Sequence, residues 1–173
     1  MPRVFVSIGS NIDRDHHVRC ALDALGDHFG ELLVSPVYES EAVGFVGDAF
    51  YNLVVGFDTD LEVAELVALL RSIEDANQRR RDGPRFRART LDIDILLHGN
   101  GCGVLDGIVL PRPEILEQAH VLRPLADIAA EERYPSNGRT YAELWDSHDK
   151  SRQKLVPVNF SWRRQSISST PPD

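Results

Sequence analysis

From Leu91 to Leu97 the chain reads Leu-Asp-Ile-Asp-Ile-Leu-Leu. An extended strand puts Leu91, Ile93, Ile95 and Leu97 on one face, because side chains alternate across a strand with a period of two. Asp92 and Asp94 then share the other face, with Cα atoms about 6 to 7 Å apart. Two carboxylates held that close repel each other unless a cation lies between them. Hard oxygen donors suit Mg²⁺, which keeps several waters and is completed by substrate phosphates. Immediately upstream, six of the seventeen arginines fall within residues 79–89. Guanidinium forks grip phosphate bidentately, so the acidic strand and the arginine run together point to phosphoryl or pyrophosphoryl transfer.

The rest of the chain narrows the alternatives. At 173 residues it has the length of one domain with a real core. The net charge of −8 argues against a general nucleic-acid binder, since the basic residues are concentrated in one segment of an acidic chain. An Asp-x-Asp strand could simply be a solvated outer face, and an arginine run a solvated loop or an RNA patch. Few aromatics interleave with these arginines. Only Cys20 and Cys102 are present, the opening apolar patch is far too short for a signal peptide, and no apolar run suits a membrane span. These features lead us to expect a cytoplasmic protein without nucleic-acid or membrane partners, and a monomer.

Periodicity suggests alternating elements. Residues 3–8 read as a buried strand closed by the turn Gly9-Ser10-Asn11, and residues 15–29 as a helix with Val18, Ala21, Leu22, Leu25 and Phe29 on one stripe. On that helix His16, His17 and His28 are expected to face solvent. Residues 31–39 and 50–59 read as strands around a loop, 40–49, of a length that is often functional. A second helix over 61–78 puts Glu74 beside its buried stripe. The acidic strand should end in a hairpin turn at His98-Gly99-Asn100-Gly101 that leads into a strand over 104–110. Short helices follow over 113–118, 121–130 and 140–147. The fold class expected is α+β, ferredoxin-like, a mainly antiparallel sheet with helices packed on it. Residues 1–150 form the domain, and 151–173 a polar tail, extended or disordered.

At these residues the chain resembles the 6-hydroxymethyl-7,8-dihydropterin pyrophosphokinases of folate biosynthesis. The similarity covers roughly residues 4–130. Ile8-Gly9-Ser10-Asn11 resembles the family's opening strand and turn, Arg89-Thr90-Leu91-Asp92-Ile93-Asp94-Ile95-Leu96 its signature, and Val121-Leu122-Arg123-Pro124-Leu125 a later match. The resemblance implies transfer of pyrophosphate from ATP to the pterin hydroxymethyl group with release of AMP, and two Mg²⁺ ions on Asp92 and Asp94. It implies Arg79 and Arg89 as phosphate-stabilising residues, and Arg81, Glu74 and Arg112 at ATP. The pterin would be met by Phe50, Asn52 and His120 and by backbone groups at Ser40 and Val43.

The departures from the family pattern concern the pterin and the nucleotide. The arginine loop has Phe86 where Trp is usual, Pro111-Arg112-Pro113 replaces Pro-His-Pro, Gln118 replaces an arginine, and His120 replaces an aromatic. Two alternatives therefore stay open: a paralogue with a different acceptor, and a non-catalytic protein that binds a nucleotide or a pterin.

Overall fold

The computed structural model of the chain describes residues 1–41, 47–77 and 90–170. Its first strand, β1 (Arg3–Ser10), is followed by α1 (Arg14–Phe29), the short β2 (Leu33–Val34) and β3 (Tyr38–Ser40), β4 (Phe50–Asp58), α2 (Val63–Ala76) and β5 (Asp92–His98). Counting β2 and β3 as one interrupted strand, this is a βαββαβ chain. In the sheet β1 lies between β5 and β4, and β3 lies beyond β4, all paired antiparallel, so the expected ferredoxin-like α+β architecture is the one observed. The strand expected over 31–39 is broken at Ser35-Pro36, where the Ser35 hydroxyl accepts from Val54 N–H and the Pro36 nitrogen has no hydrogen to donate.

Each face of the sheet carries its own core. Val4, Val6, Ile8, Leu53, Val55, Ile93 and Ile95 pack against the apolar stripes of α1 and α2. Phe5, Val54, Leu96 and Leu97 face the opposite way, against α4 (Ala119–Ala129) and α5 (Tyr141–Ser147). The placement of Leu97 corrects the sequence reading. Val6 pairs with Ile95 but Phe5 pairs with Leu97, so Leu96 is an extra residue in β5. A bulge of this kind resets the alternation, and Leu97 crosses to the second core.

Other expectations are corrected locally. Residues 104–110 are not one strand paired with β5. They form their own hairpin, β6 (Gly103–Leu105) and β7 (Ile108–Leu110), turned at Asp106 and Gly107 with φ of 49° and 83°. Two consecutive positive φ values are what a tight two-residue hairpin requires. Asp106 also accepts the N–H of Ala64 in the first turn of α2. His16 and His28 are exposed as expected, but His17 is buried and its Nδ1 pairs with Asn77 Oδ1. Among the described residues no helix is long and apolar enough to cross a membrane.

The tail after Ser151 is extended but docked. Val156–Pro157 (β8) pairs with β3 and covers the outer edge of the sheet, and β9 (Phe160–Trp162) and β10 (Gln165–Ser168) form a hairpin against α1. Phe160 is buried, with the Arg19 guanidinium 4.6 Å from its ring centre, and Arg163 pairs with Asp23 and Asp27 of α1. Strands of two to four residues are too short to show a period in sequence. An uncovered β3 edge and the outer flank of α1 are what hold them. Phe160→Ala should therefore lower unfolding stability by about 3 kcal/mol, read as a shift of the urea midpoint at constant m-value. A midpoint equal to wild type would mean that the tail does not contribute to the core.

Candidate active site

Strand register decides which side chains meet. Gly9 pairs with Asp92 on one side and with Asn52 on the other, and Asn52 pairs with Tyr38. Directly opposed residues point to the same face, so Asp92, Gly9, Asn52 and Tyr38 form one row across four strands. Asp94, Ser7 and Val54 form the next row. This is the face of the second core, but that core stops at Val54 and Leu96. The remaining part of the face carries Asp92, Asp94, Ser7, Gly9, Asn52 and Phe50, and forms the candidate site.

Asp92 and Asp94 are half-buried on β5. β5 lies at the edge of the sheet, so the backbone groups of alternate residues point away from β1 and need other partners. Glu74 of α2, only 3% exposed, accepts the N–H of Ile93 at 2.9 Å. Arg112 donates its Nε–H to the carbonyl of Ile95 at 2.8 Å, and its own N–H to Leu96 O. Ile93 sits between the two aspartates and Ile95 directly after them. Their spacing is therefore fixed from both sides of the strand. Sequence reading expected Glu74 and Arg112 at a nucleotide, and both carry a structural duty on the acidic strand that it did not foresee.

On the far side of Gly9 the site is neutral. Asn52 is buried and donates from Nδ2 to Ser40 Oγ at 2.7 Å, which directs its Oδ1 towards Gly9. A Cβ built on Gly9 would stand 3.7 Å from Phe50 Cδ1 and 3.8 Å from Asn52 Oδ1. Gly9 thus leaves a bare stretch of backbone between an aromatic ring and an amide, which suits a flat polar ring system. Next in the chain, the fully buried Ser10 donates to Thr90 O at 2.6 Å, and Asn11 Nδ2 donates to Asp48 O at 3.1 Å. Gly9 and Ser10 continue β1 rather than turning, and with Asn11 they tie down the segments that enter β5 and β4. In sequence these residues showed only as a turn and a weak part of a motif.

α4 completes the site. Its stripe of His120, Arg123 and Asp127 follows helical spacing, with Arg123 over the Tyr38 ring at 5.2 Å and Asp127 accepting from the Tyr38 hydroxyl. Burial and that carboxylate push the Tyr38 phenol up to about 12, so it stays protonated. His120 stands one turn before Arg123 and pairs with Gln153. The structure thus gathers Asp92, Asp94, Asn52, Ser40 and Phe50 on one stretch of sheet, with Glu74 and Arg112 along its edge and His120 on the α4 stripe that meets Tyr38. The expectations for Val43, Arg79, Arg81, Phe86 and Arg89 lie outside the described residues. Gly9, Ser7, Tyr38 and Gln153 were missed, because register and tertiary contacts define them rather than any residue pattern.

The site fits a hard divalent cation. Two carboxylates project from one strand face, and among the described residues no group of three or more His, Cys, Asp or Glu side chains converges. A cation on this pair would keep positions for water and phosphate oxygens, as Mg²⁺ does. The Thr90 hydroxyl, two residues before Asp92 in the chain, is buried without a partner among the described residues. Removing the carboxylate that holds the strand should cost stability first. Glu74→Ala leaves the Ile93 N–H unpaired and is expected to destabilise by about 1 to 3 kcal/mol, whereas Glu74→Gln keeps an acceptor and most of the stability. Equal urea midpoints for Glu74→Ala and wild type would show that the bond does not hold β5.

Comparison with known proteins bears on what this site does. Residues 5–130 match the family model described as 7,8-dihydro-6-hydroxymethylpterin-pyrophosphokinase. The 2-amino-4-hydroxy-6-hydroxymethyldihydropteridine pyrophosphokinase of Pseudomonas aeruginosa is 38% identical over 147 residues, covering 82% of this chain and 89% of the relative. The protein of the same name from Bacillus subtilis is 36% identical over 128 residues, covering 72% and 76%. Among solved structures, the wild-type HPPK-DHPS of Plasmodium falciparum with SDX-DHP superposes with a TM-score of 0.70 at 14% identity, over 92% of this chain. This chain covers 47% of that larger one, and at such identity the likeness speaks for the fold alone.

Proposed function

The chain belongs to the 7,8-dihydro-6-hydroxymethylpterin pyrophosphokinase family and transfers a pyrophosphoryl group to hydroxymethyldihydropterin in folate biosynthesis; from that premise we propose that ATP is the donor, that AMP leaves, and that the reaction requires two Mg²⁺ ions held on Asp92 and Asp94. The observation that carries this reading is the cross-strand row in which Asp92 and Asn52 flank Gly9. Neighbouring strands lie about 4.8 Å apart, so the acidic pair and the amide stand roughly 10 Å from each other. That span suits a pterin on Asn52 whose hydroxymethyl arm reaches the triphosphate on the aspartates.

When bound, the metal supplies charge neutralisation on the phosphate oxygens and a lower pKa for the attacking hydroxyl. The protein's part is positioning and electrostatics, because phosphoryl-type transfer asks for little else. Asn52 Oδ1, turned to Gly9 by the bond to Ser40, accepts from the pterin's ring N–H groups. Phe50 stacks on one face of the ring beside Gly9, and His120 on α4 approaches the other. Backbone groups of Ser40 and, as the family resemblance implies, of Val43 contact the pterin. Glu74 acts on the nucleotide through β5, by holding the strand that spaces the two aspartates. Arg112, anchored on Ile95 O, adds a permanent positive charge along the same strand. Arg79, Arg81 and Arg89 neutralise and orient the transferred group. Cys20 and Cys102 are both free thiols, which supports a reducing compartment such as the cytoplasm.

The test is pterin-dependent AMP formation from ATP and Mg²⁺. Asp92→Ala and Asp94→Ala should each lower it on the order of a thousandfold, the equivalent of losing several kcal/mol of charge stabilisation, with unchanged thermal unfolding. Chelation of divalent cations should abolish turnover of the wild type, and added Mg²⁺ should restore it. Wild-type turnover in Asp94→Ala would sink the metal assignment, while AMP formation indifferent to the pterin would sink the acceptor.

A further inference from the structure

The N–H groups in the first turn of a helix have no partner within the helix. In α4, Gln118 O accepts from Val121 and Leu122, but the N–H of His120 is satisfied from 33 residues away, by Oε1 of Gln153 at 3.1 Å. The other end of the same amide lies 3.0 Å from Nδ1 of the His120 ring. Nδ1 is also 3.2 Å from Oε1, so the roles must be assigned. The shorter of the two ring contacts, Nε2 to Nδ1 at 3.0 Å, makes Nε2–H the donor and Nδ1 the acceptor, with Oε1 taken by the backbone N–H. Nδ1 then carries no proton. Gln153 belongs to the docked segment after α5, where it is half-buried between exposed neighbours Arg152 and Lys154.

We infer that Gln153 is a positioning residue for acceptor binding: it caps α4 and clamps His120 as the neutral Nε2–H tautomer, fixing the ring that meets the pterin. The inference rests on the proposed place of His120 in the acceptor site. The surroundings of the ring agree with it. Burial is the largest influence and holds His120 below its ordinary pKa, while the Gln153 oxygen facing Nδ1 and Glu114 of α3 (Glu114–Glu117) pull the other way, and the helix N-terminus disfavours an imidazolium. On its own stripe the nearer charge is Arg123, which also disfavours a second cation, while Asp127, a turn farther on, is engaged by the Tyr38 hydroxyl. An uncharged ring offers its face and one N–H to a flat, neutral pterin, and a rigid one loses less entropy on binding. This chain has His where its family is expected to have an aromatic, and Gln153 is the partner that makes the imidazole usable there.

Three variants test it: Gln153→Ala, Gln153→Glu and His120→Ala. The readouts are side-chain ¹⁵N spectra of the histidines, with the His120 signal identified by its loss in His120→Ala, and KM for 6-hydroxymethyl-7,8-dihydropterin against pH. The wild type should show protonated Nε2 and bare Nδ1. Gln153→Ala should raise the pterin KM about threefold to tenfold, the worth of one hydrogen bond, with kcat little changed. In Gln153→Glu a carboxylate accepts from the backbone N–H and from a protonated Nδ1, so the His120 pKa rises. Its pterin KM should then climb as pH falls through that raised value, while the wild type stays flat. Protonated Nδ1 in the wild type, or wild-type KM profiles in both Gln153 variants beside an impaired His120→Ala, would overturn the inference alone. An unchanged pterin KM in His120→Ala would overturn the acceptor-site reading and this inference with it.

Discussion

The site depends on how an edge strand is held. Asp92 and Asp94 can act as a pair only if the backbone between them does not move, and β5 has a neighbouring strand on one side alone. On that side Asp92 and Asp94 pair with Gly9 and Ser7. On the open side the N–H of Ile93 goes to Glu74 and the carbonyl of Ile95 to Arg112. An edge strand left bare would be a pairing hazard and a loose support. Here its outward groups are engaged by two ionisable side chains, so closing the edge also brings a carboxyl group and a guanidinium to the strand that carries the acidic pair.

The same sheet supports two cores, and the site occupies the ground that the second one leaves uncovered. α1 and α2 cover one face, whereas α4 and α5 cover the other only as far as Val54 and Leu96. The bulge at Leu96 marks the change, because it turns both Leu96 and Leu97 into the second core after the strict alternation that set out the aspartates. Stability and chemistry are thereby separated along one strand. The tail contributes on the opposite flank: β8 covers the edge at β3, and Gln153 reaches the start of α4.

Much of the frame was legible in the residues. The helical stripes of α1 and α2, the alternating strands and the order of elements follow from local periodicity, which is why the ferredoxin-like α+β fold could be read without coordinates. The spacing of Asp92 and Asp94 carried their shared face, since strand alternation is a local property. Reading failed where the cause was not local. The bulge at Leu96, the hairpin at Asp106-Gly107, the buried His17 and the docked tail all depend on what packs alongside, and strands of two to four residues have no period to detect.

By itself the sequence determined which residue types the site would contain: an acidic pair on one strand face, arginines before it, and the motif that places the chain in its family. Tertiary structure alone decided that Gly9 lies between Asp92 and Asn52, that Glu74 and Arg112 hold the backbone around the pair, and that Gln153 reaches His120 across 33 residues. The physical reason is that hydrophobic pattern acts over a few residues of chain, whereas strand register and the pairing of buried polar groups are set by whatever the closed fold brings within 3 Å.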